Sequence, residues 1–207
     1  MSVTLDHILW AAPDLDAGAA LMESLVGVQP ARGGSHPGLG TRNSLLSLGD
    51  TYLEILAPDP AQSLDGNRGG AIAARPAAGL YMFAVQTTDL GAYAAAAARA
   101  GVPTIGPFEM SRTRLDGVRL DWACLYMDHP VFGEMVPFGI DWKNSPHPAA
   151  TTPKGCRLVE LVALHPRAPE LAEIYRSMGI DVEVRIAAAP GFLVTLETPR
   201  GAVVLTA

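Results

Sequence analysis

The chain has 207 residues, 49% of them hydrophobic and 17% charged. That is enough apolar surface for one large or two small packed domains, which excludes intrinsic disorder. With 15 basic residues against 21 acidic ones, a net charge of −6 and no basic tract, the chain lacks the clustered cations that phosphate neutralisation needs, and no nucleic-acid partner is expected.

The run Leu5-Asp6-His7-Ile8-Leu9-Trp10-Ala11-Ala12 reads as a strand with a polar break at Asp6-His7. Pro13-Asp14-Leu15 ends it, with Asp14 as the N-cap of a helix that carries Ala17, Ala20, Leu21 and Leu25 on one side. Gly27 closes that helix, because a glycine just past a helix enters the left-handed region without a Cβ penalty. Ser44–Leu48 and Thr51–Leu56, joined by Gly49-Asp50, read as a hairpin. Ala57–Ala78, rich in proline and glycine, reads as a loop. A second copy opens at Leu80–Gln86, continues through Thr88-Asp89-Leu90 into an Ala-rich helix, and closes at Gly101. Asp116-Gly117 then marks a two-residue hairpin between Glu109–Leu115 and Val118–Met127. Lys143–Gly155 is a second linker. A third copy runs from Arg157–Leu164 through a helix at Glu170–Met178 to Gly179, followed by a hairpin of Gly191–Thr198 and Ala202–Thr206. Gly27 follows His7 by 20 residues, Gly101 follows Met82 by 19, and Gly179 follows Glu160 by 19. This repeat predicts an α+β fold of βαβββ modules at 1–60 and 79–143, with a third, shorter module at 156–207.

No run approaches the roughly 18 uninterrupted apolar residues of a membrane span, and the start of the chain shows no basic segment before an apolar one. No membrane partner and a cytoplasmic location are expected. Cys124 and Cys156 have neither metal nor redox spacing and read as reduced core residues.

The tandem βαβββ pattern, with Leu5-Asp6-His7, Pro13-Asp14-Leu15 and Tyr52-Leu53-Glu54-Ile55 in order, resembles the vicinal oxygen chelate superfamily of glyoxalase I, extradiol dioxygenases and antibiotic-resistance proteins. The stretches His36-Pro37-Gly38-Leu39-Gly40-Thr41-Arg42-Asn43 and Pro137-Phe138-Gly139-Ile140-Asp141-Trp142 resemble the bacterial glyoxalase-like domain proteins of that superfamily. The resemblance implies a cup of mixed sheet that holds a small oxygen-rich metabolite and a divalent Fe, Mn, Zn or Ni ion. It implies a lyase, isomerase or dioxygenase, with metal-free sequestration of a small molecule as the alternative, and a homodimer. His7 and Glu54 match the metal ligands of one module. Placing Thr88 on Pro13 puts Met82 where the second module would carry a ligand, so the second pair is missing from its usual place.

Each candidate has two readings. His7 is a metal ligand or a satisfied core histidine; Glu54 is its partner ligand or a carboxylate on a half-exposed strand. His36 is a third ligand or catalytic group, or a solvated loop histidine. Glu160, the sole carboxylate in its strand, completes the metal set or acts as a base if the third unit borders the cup. Thr41 and Asn43 offer hydrogen bonds to substrate, and Trp122 and Trp142 offer pocket walls. A two-residue turn at Asp116-Gly117 sets Arg112, Arg114 and Arg119 on one face with Asp121. Arg114 then binds an anionic substrate if that face lines the cup, and is a solvated edge if it does not. His129, His147 and His165 read as loop histidines.

Overall fold

A computed structural model of the chain describes residues 2–114 and 117–206. The first unit contains β1 (Thr4–Ala11), α1 (Leu15–Val26), β2 (Ala31–His36), β3 (Thr41–Ser47) and β4 (Tyr52–Pro58). Asp14 caps α1 by accepting the Ala17 N–H, and Gly27 ends it at φ 78°. The linker that follows contains a helix where the sequence predicts a loop. This α2 (Arg68–Ala73) is only six residues long, too short to display a periodicity. It is held by the Asn67 side chain, which accepts the Gly70 N–H, and by burial of Ile72, since short helices depend on caps and tertiary packing. The second unit contains β5 (Gly79–Gln86), α3 (Leu90–Arg99), β6 (Thr104–Thr113), β7 (Arg119–Met127) and β8 (Phe138–Asp141).

The eight strands of these two units form one curled mixed sheet in the order β2-β3-β4-β1-β5-β8-β7-β6. Each half has the same internal order. In each, the first strand lies parallel to the last, and the two halves meet at the antiparallel β1–β5 pair. Side chains alternate across the sheet. His7, Leu9, Tyr52, Glu54 and Leu56 face the concave side, whereas Ile8, Trp10, Leu53, Ile55, Phe83 and Val85 face the convex side and the helices.

The third unit contains β9 (Arg157–His165), α4 (Ala168–Met178), β10 (Glu183–Ile186), β11 (Gly191–Thr198) and β12 (Gly201–Thr206). Its strands pair in a different order, β10-β9-β11-β12, in a sheet of their own. Leu161, Ala163, Tyr175, Phe192, Val194 and Leu196 join the convex-side core with Phe83 and Val85. Phe83 makes edge-to-face contacts with Tyr175 at 6.0 Å and Phe192 at 5.8 Å, and the Tyr175 hydroxyl donates to the Met135 carbonyl. The third unit therefore backs the centre of the large sheet and leaves the concave side to the first two. Among the described residues, no helix is long and apolar enough to cross a membrane.

All three tryptophans, Trp10, Trp122 and Trp142, lie in the first two units. Phe192→Ala is expected to cost about 3–5 kcal/mol and to lower the urea midpoint read by tryptophan fluorescence. An unchanged midpoint would mean that the third unit unfolds independently of the large sheet.

Candidate functional site

The concave side forms a cup of about 520 Å³ that is partly open to solvent. Its first-unit wall is polar, and that wall begins with an irregularity in β1. Between Leu5 and His7 the β1–β5 register shifts, because two residues of β1 span one step of β5. The extra residue is Asp6. Such a bulge re-aims side chains, and here the fully buried Asp6 carboxylate turns to its neighbour, with Oδ1 2.5 Å from His7 Nδ1. Asp6 Oδ2 accepts from Trp142 Nε1 at 2.8 Å and lies 3.1 Å from His147 Nε2. His147, predicted to be a loop histidine, thus belongs to this network. The His7 ring stacks on Tyr52 at 4.6 Å and meets Phe138 edge-on at 5.6 Å.

On β4, Glu54 Oε2 lies 3.4 Å from His7 Nε2, and Oε1 accepts from Asn43 Nδ2 at 2.5 Å. Asn43 Oδ1 accepts the Gly34 N–H at 2.9 Å. A Cβ on Gly33 would lie 2.1 Å from that oxygen, so the glycine pair in β2 allows Asn43 this close approach. His36, a solvated loop histidine on one of its two readings, instead ends the edge strand β2 and is buried. His36 Nδ1 lies 3.0 Å from Thr41 Oγ1, and its Nε2 is 3.3 Å from Asn43 Nδ2 and 3.7 Å from Glu54 Oε1. Because Asn43 Nδ2 can only donate, the network assigns a lone pair to His36 Nε2 and its proton to Nδ1.

His7, Glu54, His36, Thr41, Asn43, Trp122 and Trp142 therefore line one cup. Glu160 does not. It lies on β9, and its Oε1 is paired with Arg185 at 2.5 Å in the sheet that backs the large one. A third-unit carboxylate behind the sheet has no path to the concave side. Arg114 is likewise absent from the cup lining. Its Nη1 donates to Thr151 Oγ1 at 3.2 Å beside a neighbouring cavity.

The hairpin register accounts for the arginines. Arg114 and Val118 close the turn, with Gly117 in the left-handed region at φ 83°. The connection is thus three residues long, a length that favours a left-handed glycine at its end, and not the two predicted. Leu115 and Asp116, half of the turn signal, lie outside the described residues. The extra residue pairs Arg112 with Leu120 and Thr113 with Arg119. Arg112 accordingly points inward with Leu120, while Arg119 points outward to Asp121. Arg68, from α2, also lines the cup, its guanidinium 4.8 Å from the centre of the Tyr126 ring. Asp6, Arg68 and His147 were missed as site residues. Asp6, a carboxylate beside a histidine in an apolar strand, was the available signal; Arg68, in a Gly-rich linker, offered none.

A divalent ion held by the protein needs three or four donors. His7 and Glu54 supply two, and Asp6 orients His7 as an outer carboxylate orients a metal-bound imidazole. The equivalent pair in the second unit is apolar. Leu9 pairs with Glu54 as Ala84 pairs with Phe138, so Met82 and Phe138 occupy the places of His7 and Glu54. Among the described residues, no group of three or more His, Cys, Asp or Glu side chains is arranged to hold an ion. The donor set does not fit a complete protein-held centre.

Burial disfavours charge along this wall; partners outweigh it at His7, Glu54 and Asp6 but not at His36. For His7, burial alone would lower the pKa, but the Asp6 and Glu54 carboxylates raise it to about 9. For Glu54, burial is outweighed by His7, His36 and Asn43, which hold its carboxyl down at about 2. Asp6 is brought to about 2 by His147 and His7 in the same way, against its burial. His36 goes the other way: burial lowers its pKa despite the Glu54 charge, and Arg112 adds to the effect. The wall thus presents an imidazolium, a carboxylate and a neutral imidazole side by side.

A family model described as a glyoxalase-like domain matches residues 5–179. No curated protein sequence matches the chain. A hypothetical protein from Staphylococcus aureus is similar in structure, with a TM-score of 0.68 at 17% identity over 99% of this chain and 85% of that one. A Streptomyces coelicolor methylmalonyl-CoA epimerase gives 0.51 at 21% identity, over 71% of this chain and 100% of its own. A hypothetical protein from Bacillus halodurans gives 0.52 at 18% identity, over 70% and 99%. At these identities the structural likenesses show the fold.

The raised pKa of His7 carries a stability sign. The contribution is fully present below the unfolded-state value of 6.5 and is lost as pH rises through about 9. The melting temperature is expected to fall between pH 6.5 and 10 more steeply in the wild type than in His7→Gln. Parallel curves would show that His7 is not an imidazolium in the folded protein.

Proposed function

The chain belongs to the glyoxalase-like domain family, and on that premise we propose that it binds and transforms a small oxygen-rich metabolite in its cup by proton transfer, as an isomerase or lyase. The observation that carries this reading is the buried chain of hydrogen bonds and one ion pair, Asp6–His7–Glu54–Asn43–His36, along one wall. In this reading His36, neutral, gives up the long 3.3 Å hydrogen bond from Asn43 and takes at Nε2 a proton from carbon next to a carbonyl, whose oxygen receives the electron pair. The His7 imidazolium faces the oxygen on which negative charge develops. Glu54 holds His7 charged and Asn43 in place, and Thr41 fixes the tautomer of His36. Trp122, Trp142 and Phe138 exclude water, which strengthens each of these interactions. Arg68 and Arg112 favour an anionic metabolite.

A second reading has one observation in its favour, the Asp6 carboxylate behind His7. In it, His7 and Glu54 hold a divalent ion whose remaining positions are filled by the ligand and water. A dioxygenase would need a redox metal on three protein donors, which this pair does not complete.

Two measurements test the proposal. In deuterium oxide, the wild type is expected to exchange the carbon-bound proton of a small 2-hydroxy or 2-oxo acid from a panel, followed by proton NMR. His36→Gln is expected to slow the exchange by about 10²–10⁴-fold. Binding without exchange across the panel would favour sequestration. Elemental analysis of protein purified without added metal is expected to find far less than one equivalent. One equivalent that disappears in His7→Ala and Glu54→Ala would establish the second reading.

A further inference from the structure

Beside the cup, along the same inward face of the β6–β7 hairpin, lies a second cavity of about 600 Å³, partly open to solvent, between β2, β6, β7 and the segment that follows Pro148. Leu45 and Arg112 line both cavities, so the Arg112 side chain is the partition between them. Arg112 is 9% exposed, and its Nη1 is buried without a hydrogen-bond partner. The Thr152 Oγ1 on the same cavity is also buried and unpartnered. A buried donor left without a partner is costly, and natural proteins keep few of them. Two such atoms on one cavity mark a place where a ligand supplies the missing partners.

The charge around the cavity defines that ligand. Arg32, Arg112 and Arg114 line it, and among the described residues no carboxylate does. Arg32 is paired with Asp16 at the rim, and Arg114 reaches Thr151. The carboxylate that bears on Arg112 is Glu54, which stands on the cup side and is held by Asn43 and His7. A guanidinium offers several N–H donors in a planar fork, and an oxyanion accepts them in pairs.

We propose that this second cavity is an anion subsite, in which Arg112 and Thr152 hold the carboxylate or phosphate end of a ligand whose reacting end lies in the cup. The proposal rests on the cup reading for the second half of that statement only, because anion binding here needs no chemistry at His36 or His7. It makes the ligand bipartite, with an oxygen-rich head at His7, Glu54 and His36 and a terminal anion beyond the Arg112 partition.

The test is calorimetric titration of the full chain with inorganic phosphate and, separately, with malonate, at low salt. The wild type is expected to bind at least one of the two; whichever binds more tightly identifies the anion. Thr152→Val is expected to weaken that binding several-fold. Arg112→Lys, which keeps the charge but loses the fork, is expected to weaken it by about tenfold or more, in line with the loss of a charge-assisted hydrogen bond. Arg119→Ala, which removes a cation that points outward to Asp121, is expected to change nothing. No binding of either anion, or equal affinity in the wild type, Thr152→Val and Arg112→Lys, would overturn the proposal. So would an Arg119→Ala loss as large as that of Arg112→Lys, since that would mean diffuse attraction. Failure of proton exchange with anion binding intact would sink the cup chemistry and leave the subsite standing.

Discussion

Strands β1 and β5 are buried on both faces, and the rest of the molecule is arranged around that constraint. They meet at the centre of the eight-stranded sheet, and their sequences are accordingly near-continuous apolar runs rather than clean alternations. The convex face of this seam needs a cover. Two helices from a pair of βαβββ units flank it, and the third unit supplies aromatic and aliphatic side chains, Tyr175, Phe192 and Val194, to close the gap between them. The concave face needs a cover as well, but only a partial one. Ile72 of α2 packs into the concave-side cluster, and the open remainder is the cup. The length of the chain beyond two modules is thus explained by the back of the sheet. The third unit adds packing, and none of its described residues lines the cup.

The same double burial makes the polar wall expensive. An isolated charge at the position of Asp6, His7 or Glu54 would be too costly to keep ionised. Each is retained because it is one link in a chain of partners. The bulge at Asp6 is the device that makes the chain possible, since strict alternation would send Asp6 and His7 to opposite faces of the strand. Once both turn to the concave side, Asp6 gathers His7, Trp142 and His147 on its two carboxylate oxygens. Trp142 and His147 come from the end of the second unit and the linker beyond it. One bulged carboxylate therefore ties the polar wall of the first module to the far rim of the cup.

The repeat made much of this visible in advance. The caps at Asp14 and Gly27, the strand at Leu5 and the hairpin before Pro58 follow from local chemistry that any chain obeys. His7 and Glu54 stood out because a polar residue in an apolar strand is conspicuous. What stayed hidden depended on non-local geometry. The side on which the third unit packs decides the position of Glu160, and no periodicity encodes it. The direction of Arg112 depends on a single residue in the turn, because the side-chain period of a strand is two and one extra residue reverses every face. The strand at β2 was masked by its glycines, whose purpose is the approach of Asn43. His147 is a loop residue, as its prolines suggest, and its contact was hidden because the partner is a carboxylate 141 positions away in the sequence.

The two halves of the sheet share one strand order yet carry opposite chemistry. Where the first half has His7 and Glu54, the second has Met82 and Phe138, and the second half adds Trp122, Cys124 and Ile140 to the cup. An apolar wall opposite a charged one lowers the local dielectric, so each hydrogen bond from the polar wall acts more strongly on whatever lies between them. Arg68 and Arg112 reach into the cup from α2 and from β6, outside the His7–Glu54 pair, so the positive charge of the arginines lies at its periphery. The asymmetry thus separates two kinds of group. The buried titratable side chains are concentrated on β1 to β4, and the two arginines enter at the margins of the cup.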